Sequence, residues 1–205
     1  MISLTVRNET PKNITAIEFG SFAPSADTIS SIDYDIEIQD MILAPSASQV
    51  FNINIVPDHP TTKVKILAVV FEDGTGEGVP ARLDFIKNNR IGRREQMRRI
   101  VPYWSSLLSA ANKGNEQELS QLLSSTLAAA STLEETPAAG PVMANRNLVA
   151  QQLGLVSVKR QMVSNIQKLQ EQLAAGTPIE ILEKMIIQLK NTSDVILAKL
   201  EREGY

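Results

Sequence analysis

Cysteine is absent from this 205-residue chain, which excludes disulfides, thiolate metal sites and cysteine nucleophiles. Histidine occurs once, as His59 within "PDHP". One imidazole without thiolates is too few ligands for a zinc site, and no G-x-S-x-G or comparable serine context offers it a triad. It reads as a loop residue. Aromatic residues make up only 4% of the chain. No apolar run approaches the ~18–20 residues that a membrane helix needs. The opening MISLTVRNET has neither the basic start nor the continuous apolar centre of a signal peptide. The compartment therefore stays open between export, with a leader outside this chain, and the cytoplasm.

What is present divides into two halves. The apolar share of 43% and the length suit one large or two small globular domains. The net charge of -3 conceals an asymmetry. Residues 1–79 hold four basic against eleven acidic residues, a balance of −7, and residues 80–205 hold 16 against 12, a balance of +4. Such a division points to two units with different surfaces.

Hydrophobic periodicity changes at the same place. Ile2, Leu4 and Val6 alternate with polar residues, as do Ile32, Tyr34, Ile36 and Ile38, and again Phe51, Ile53 and Ile55. Period two with branched and aromatic side chains predicts half-buried strands. Turn clusters separate them: Asn8 to Asn13, Ala23 to Asp27, Ala44 to Ser46 and Pro57 to Pro60. "KVKILAVVF" (63–71) is apolar on both phases from Ile66 onward, which predicts a central strand. Short strands at close spacing predict an antiparallel β-sandwich of immunoglobulin type over residues 1–79, without the Cys-Trp-Cys hallmark of antibody domains.

From Pro80 the spacing is helical, and residues 80–205 are expected to form a helical domain, making the chain α+β. A long helix is expected over about 80–112, opened by Pro80 and bent or broken at Pro102. Trp104, in phase with Ile100, Leu107 and Leu108, reads as core. Asn115 to Glu118 resembles a capping box opening a short helix over 116–133. "EETPAAGPVMAN" then marks a linker over 134–144. Residues 145–204 predict an antiparallel helical hairpin with coiled-coil-like seams. One seam is Leu155, Val158, Met162, Ile166, Leu169 and Leu173; the other is Leu182, Ile186, Leu189, Ile196 and Leu200, with Ser193 in one core slot. Gly176 suits a left-handed cap, and Thr177-Pro178-Ile179-Glu180 a helix start.

The candidate chemical sites are sparse. "FEDGTGEGVP" (71–80) gathers glycines and carboxylates after a strand. It is not G-x-G-x-x-G, has no Gly-Lys-Ser/Thr ending and lacks the calcium-loop order. It reads as a corner whose glycines supply positive φ, with Glu72, Asp73 and Glu77 solvated or capping the helix at Pro80. Asp33, Asp35 and Glu37 share one strand face at ~6.6–6.8 Å spacing, too wide to grip one ion together, and read as solvated. Lys87, Arg90, Arg94 and Arg98 fall 3-4-4 apart within a run of seven basic and two acidic residues. They form one helical stripe, a candidate partner-binding face or a solvated one. An acidic protein surface suits this stripe better than nucleic acid, because the chain is acidic overall and no aromatic platform interleaves the arginines.

The segments "ASQVFNINI", "AVVFEDGTGEG" and "IGRREQMRRI" (about residues 48–100) resemble a group of uncharacterised bacterial proteins, many of them predicted to be exported. The resemblance implies an immunoglobulin-like β-sandwich followed by helices, and it transfers no functional residue. Without a triad, paired acid–base carboxylates, a metal cluster or a cofactor fingerprint, the expectation is a non-enzymatic interaction or scaffold protein that uses no cofactor. Its contacts are expected to be with a protein partner or with its own copies. The alternative expectation is a module that binds an anionic polymer or surface through the arginine-rich helix.

Overall fold

A computed structural model describes residues 2–22, 28–35, 43–53, 63–133, 135 and 145–202, with backbone alone at 28–35 and 145. Strands come first and helices after, an α+β chain that divides into compact units at Asp84 and Phe85. The strands are β1 (Ile2–Arg7), β2 (Ile14–Phe22), β3 (Thr28–Asp35), β4 (Ser48–Ile53), β5 (Lys63–Phe71) and β6 (Gly76–Gly78). Every pairing is antiparallel, in a two-stranded sheet β1-β4 and a four-stranded sheet β3-β2-β5-β6.

Alternation places β1 and β4 with one face inward. Leu4, Val6, Phe51 and Ile53 meet Ile14, Ile17, Phe19 and Phe71 in one apolar cluster, where the Phe19 and Phe51 rings lie 5.2 Å apart. The two sheets thus share a core. β5 is interior, between β2 and β6, as its two-phase apolar run predicts. β2 carries no strand signal in the sequence because both its faces are covered. Ile17 and Phe19 face the cluster, while Glu18 is buried against Arg82 at 2.9 Å, and register shifts between Ile14 and Ala16 and between Glu18 and Phe19 break the alternation further. The strand expected at 32–38 is seen as Thr28–Asp35, and residues 36–38 of that expectation lie outside the described residues.

The glycine-rich corner is a β-hairpin. Gly74 (φ 76) and Gly78 (φ 128) take the left-handed region, and β6, unforeseen in the sequence, pairs Gly76 with Val70 and Gly78 with Ala68. A side chain on Gly78 would run into the Leu67 carbonyl.

The helices are α1 (Pro80–Ala111), α2 (Glu116–Ser131), α3 (Asn145–Ala174) and α4 (Ile179–Arg202). α1 opens at Pro80 as expected but runs on through Pro102 instead of breaking there. Proline costs a helix interior ~3 kcal/mol or more. Ile100, Trp104 and Leu107 flank it as fully buried core residues, and at ~1.5–3 kcal/mol each their burial outweighs that cost. Asn115 caps α2 by accepting the Glu118 backbone N–H at 3.1 Å, while the Glu118 carboxylate turns to Lys113 rather than closing a reciprocal box. Between α3 and α4, Gly176 (φ 77) donates to the Leu173 carbonyl and Thr177 N to that of Gln172, a Schellman-type stop.

The helices run up-down-up-down around one core that all four supply. α1 and α3 are parallel: Asn89 Nδ2 donates to the Ala150 carbonyl and Gln151 Nε2 to Asn88 Oδ1 (2.9 Å). Their backbones touch at a reciprocal glycine crossing. A Cβ on Gly92 would occupy the place of the Gln151 carbonyl, and one on Gly154 that of the Asn89 carbonyl. α2 is antiparallel to α3, with Lys159 Nζ donating to the Leu133 carbonyl (3.0 Å) and Gln170 Nε2 to Ser124 Oγ (3.2 Å). The seams expected on α3 and α4 are buried from Leu155 to Leu169 and at Leu182, Ile186, Ser193, Ile196 and Leu200, with Leu173 and Leu189 half-buried.

Candidate functional site

A groove of about 230 Å³ lies on the helical bundle, lined by residues of α1, α3 and α4. Met97, Ile100 and Trp104 come from α1, Val158 and Met162 from α3, and Met185, Leu189 and Ile196 from α4. Polar members are Gln161, Asn165 and Lys168 of α3 and Gln188, Thr192 and Ser193 of α4. Lys168 alone among the lining residues carries a charge.

Helix geometry orders these residues along the groove. From the Asn89–Ala150 contact, α1 and α3 each rise ~1.5 Å per residue, so Trp104 comes level with Asn165 and Met97 with Val158. Counting back from the turn that joins Ala174 to Ile179 sets Gln188 opposite Asn165, and Ile196 beside the level of Val158. One end thus gathers Trp104, Asn165 and Gln188, with Lys168 a turn beyond. The other, ~10 Å away, gathers Met97, Val158 and Ile196. Trp104 is only 1% exposed, and its indole Nε1–H has no hydrogen-bond acceptor among the described residues. A buried donor left unpaired costs ~1–3 kcal/mol. Ser193, 9% exposed, sits where the α4 seam would otherwise carry a Leu or Ile, and its small side chain leaves the space open.

The basic stripe meets the structure differently. Arg90 is fully buried, Lys87 and Arg94 are half-buried, and exposed Arg98 pairs with Glu201 at 2.9 Å. The 3-4-4 spacing gives one helical face, but that face turns partly into protein. Arg93, between two stripe members, is buried as well.

Two of the three corner carboxylates, Asp73 and Glu72, are paired locally, and Glu77 is exposed. Asp73 Oδ2 lies 2.7 Å from Lys12 Nζ, and its Oδ1 accepts the Thr75 backbone N–H. The Lys12 ammonium first, and then Thr75, hold the Asp73 carboxyl well below the usual carboxylate range. Glu72 accepts from Asn13 Nδ2 at 2.6 Å. These acids brace a turn rather than cap α1. Asp33 and Asp35 stand at β3 register positions opposite Glu18 and Ala16 of β2. Glu37 and His59 lie outside the described residues. Among the described residues no group of three or more metal-ligating side chains comes together, and no helix is long and apolar enough to cross a membrane.

The sequence placed Trp104 in the core and Ser193 in the seam, but it did not signal the groove. The one available signal was Ser193 itself, a small polar residue in a run of Leu and Ile. No family model, curated protein or solved structure matches the chain.

Proposed function

We propose that the chain is a non-enzymatic interaction protein. In this reading the N-terminal unit is an immunoglobulin-like sandwich and the helical bundle binds another protein chain, a second copy of itself, over the outer surface of α3 and α4. The observation that carries it is the exposure of large apolar side chains there: Ile181 and Val195 on α4 are 48% and 52% exposed, and Val149 and Leu153 on α3 are exposed to a similar degree. Ile181 and Val195 lie two heptads apart, on one edge of α4 beside Met185 and Thr192. Large apolar side chains left exposed along one pair of helices supply the surface that such an interface would bury. Sedimentation tests it: the wild type is expected to associate with rising concentration, and Ile181→Lys with Val195→Lys to hold it monomeric with its helical circular dichroism intact. A wild type that stays monomeric at high concentration overturns self-association. Polyanion binding through Lys87, Arg90, Arg94 and Arg98 is the weaker alternative, given the burial of Arg90. It requires affinity for heparin that falls steeply with salt.

A further inference from the structure

We propose that the groove lined by α1, α3 and α4 is a docking site for an acidic amphipathic helix of a partner protein. This goes beyond the self-association reading and does not rest on it. Depth sorts the lining residues. Met97, Ile100, Trp104, Val158, Met162 and Ile196 are buried, with Ser193 the one polar residue among them. Gln161, Lys168, Gln188 and Thr192 are exposed. An apolar bottom under a polar rim suits the two faces of an amphipathic helix. Met97, Met162 and Met185 all line the groove, and their unbranched, polarizable side chains adapt to inserted apolar groups. The lining runs from the level of Lys168 and Met185 to that of Val158 and Ile196, ~15 Å along α3 and close to three helical turns. A space of about 230 Å³ is too small for a helix ~10 Å wide, so the helix lies along the rim and inserts side chains. The backbone groups of α1, α3 and α4 are paired within those helices. An extended peptide laid there would leave its own N–H and C=O groups without partners, whereas a helix satisfies them internally.

Charge selects which helix docks. No carboxylate lines the groove, and Lys168 does. α3 as a whole carries Arg146, Lys159, Arg160 and Lys168 against Glu171 alone. On α4, Lys184 is exposed, one turn before Gln188 on the same face and within a residue of the level of Lys168. Two ammoniums thus stand at one end of the rim, and neither makes an ion pair among the described residues. Of the α4 acids, Asp194 is taken up by Lys190 and Glu201 by Arg98. Carboxylates beside the apolar face of a docked helix meet both lysines, and a basic helix is repelled.

The test uses labelled synthetic peptides of about four helical turns that share one Leu face and carry either Glu or Lys on the other. Fluorescence anisotropy against the full chain reads their binding. The Glu peptide is expected to bind saturably and about tenfold more tightly than the Lys peptide, the size of two exposed ion pairs. A Glu peptide with its Leu residues scattered should not bind. Lys168→Glu should weaken the Glu peptide about two- to fivefold and strengthen the Lys peptide. Ser193→Leu should fill the groove and abolish binding with the helical circular dichroism intact. Equal binding of the Glu and Lys peptides, or preference for Lys, would overturn the proposal. So would a folded wild type with no saturable response to the Glu peptide. If Ser193→Leu turns an associating wild type into a monomer, the groove holds a second copy, and the proposal fails. Should Ser193→Leu not fold, Lys168→Glu with the two peptides still decides.

Discussion

At the scale of single residues, the β unit depends on a few polar side chains that tie separate stretches of backbone together. Asn8 is buried, and its Nδ2 donates to the carbonyls of Lys12 and Leu43 at 2.8 Å while its Oδ1 accepts from the Thr10 backbone N–H and hydroxyl. It ties the turn after β1 to the segment before β4. Asn8→Ala should cost about 1–3 kcal/mol, because the turn loses the side-chain hydrogen bonds that tie it to the buried Leu43 carbonyl and to Thr10, and a denaturation midpoint would register it. Asp73 lies exposed at the surface, so its pairing with Lys12 contributes little to stability, but its titration is distinctive. A depressed folded-state pKa means that this small contribution is present above the ordinary aspartate value of ~3.9 and lost only as pH falls through the lower folded value. The Asp73 carboxyl carbon resonance should therefore stay in its ionised position at a pH where ordinary aspartates are half protonated, and Lys12→Ala should bring it back toward them.

At the scale of elements, the crossing of α1 and α3 sets two opposing effects against each other. Glycine inside a helix costs ~1 kcal/mol relative to alanine, so Gly92→Ala and Gly154→Ala would stabilise isolated helices. In the bundle each new methyl meets the carbonyl of the facing helix, and backbone cannot yield as a flexible side chain does. Overpacking of this kind costs ~1–3 kcal/mol, which outweighs the gain. Both variants should melt lower than the wild type, and the double variant no better than either single one, since one separation of the helices relieves both clashes. A higher melting temperature in either single variant would mean that the helices do not meet there. Strand β2 teaches the complementary lesson. Period two identifies strands with one wet face, so β1 and β4 were legible, whereas β2, dry on both faces with Glu18 set inward against Arg82, was not.

At the scale of the whole molecule, the four helices share one core, so damage to it should not stay in one helix. Ile186 is fully buried in that cluster, and Leu189 packs against it. Replacing both with Asp places charge where no partner waits, a cost of several kcal/mol. The helical circular dichroism is expected to disappear from all four helices together, not only from α4. Retention of the wild-type signal and melting temperature would mean that the seam is wrongly assigned.

The sequence by itself determined the order of strands before helices, the interior place of β5, the bounds of the helices to within a few residues, and the seams of α3 and α4. Periodicity, caps and turn glycines are local, and local physics is written in neighbouring residues. Only the tertiary structure decided that Pro102 is carried within a continuous helix, that Arg90 turns inward, and that Gly92 and Gly154 meet. It also set Trp104, Asn165, Lys168 and Gln188 at one end of a groove. Each of those outcomes depends on which surface faces which across distances of fifty residues or more, and no spacing within a single element encodes that.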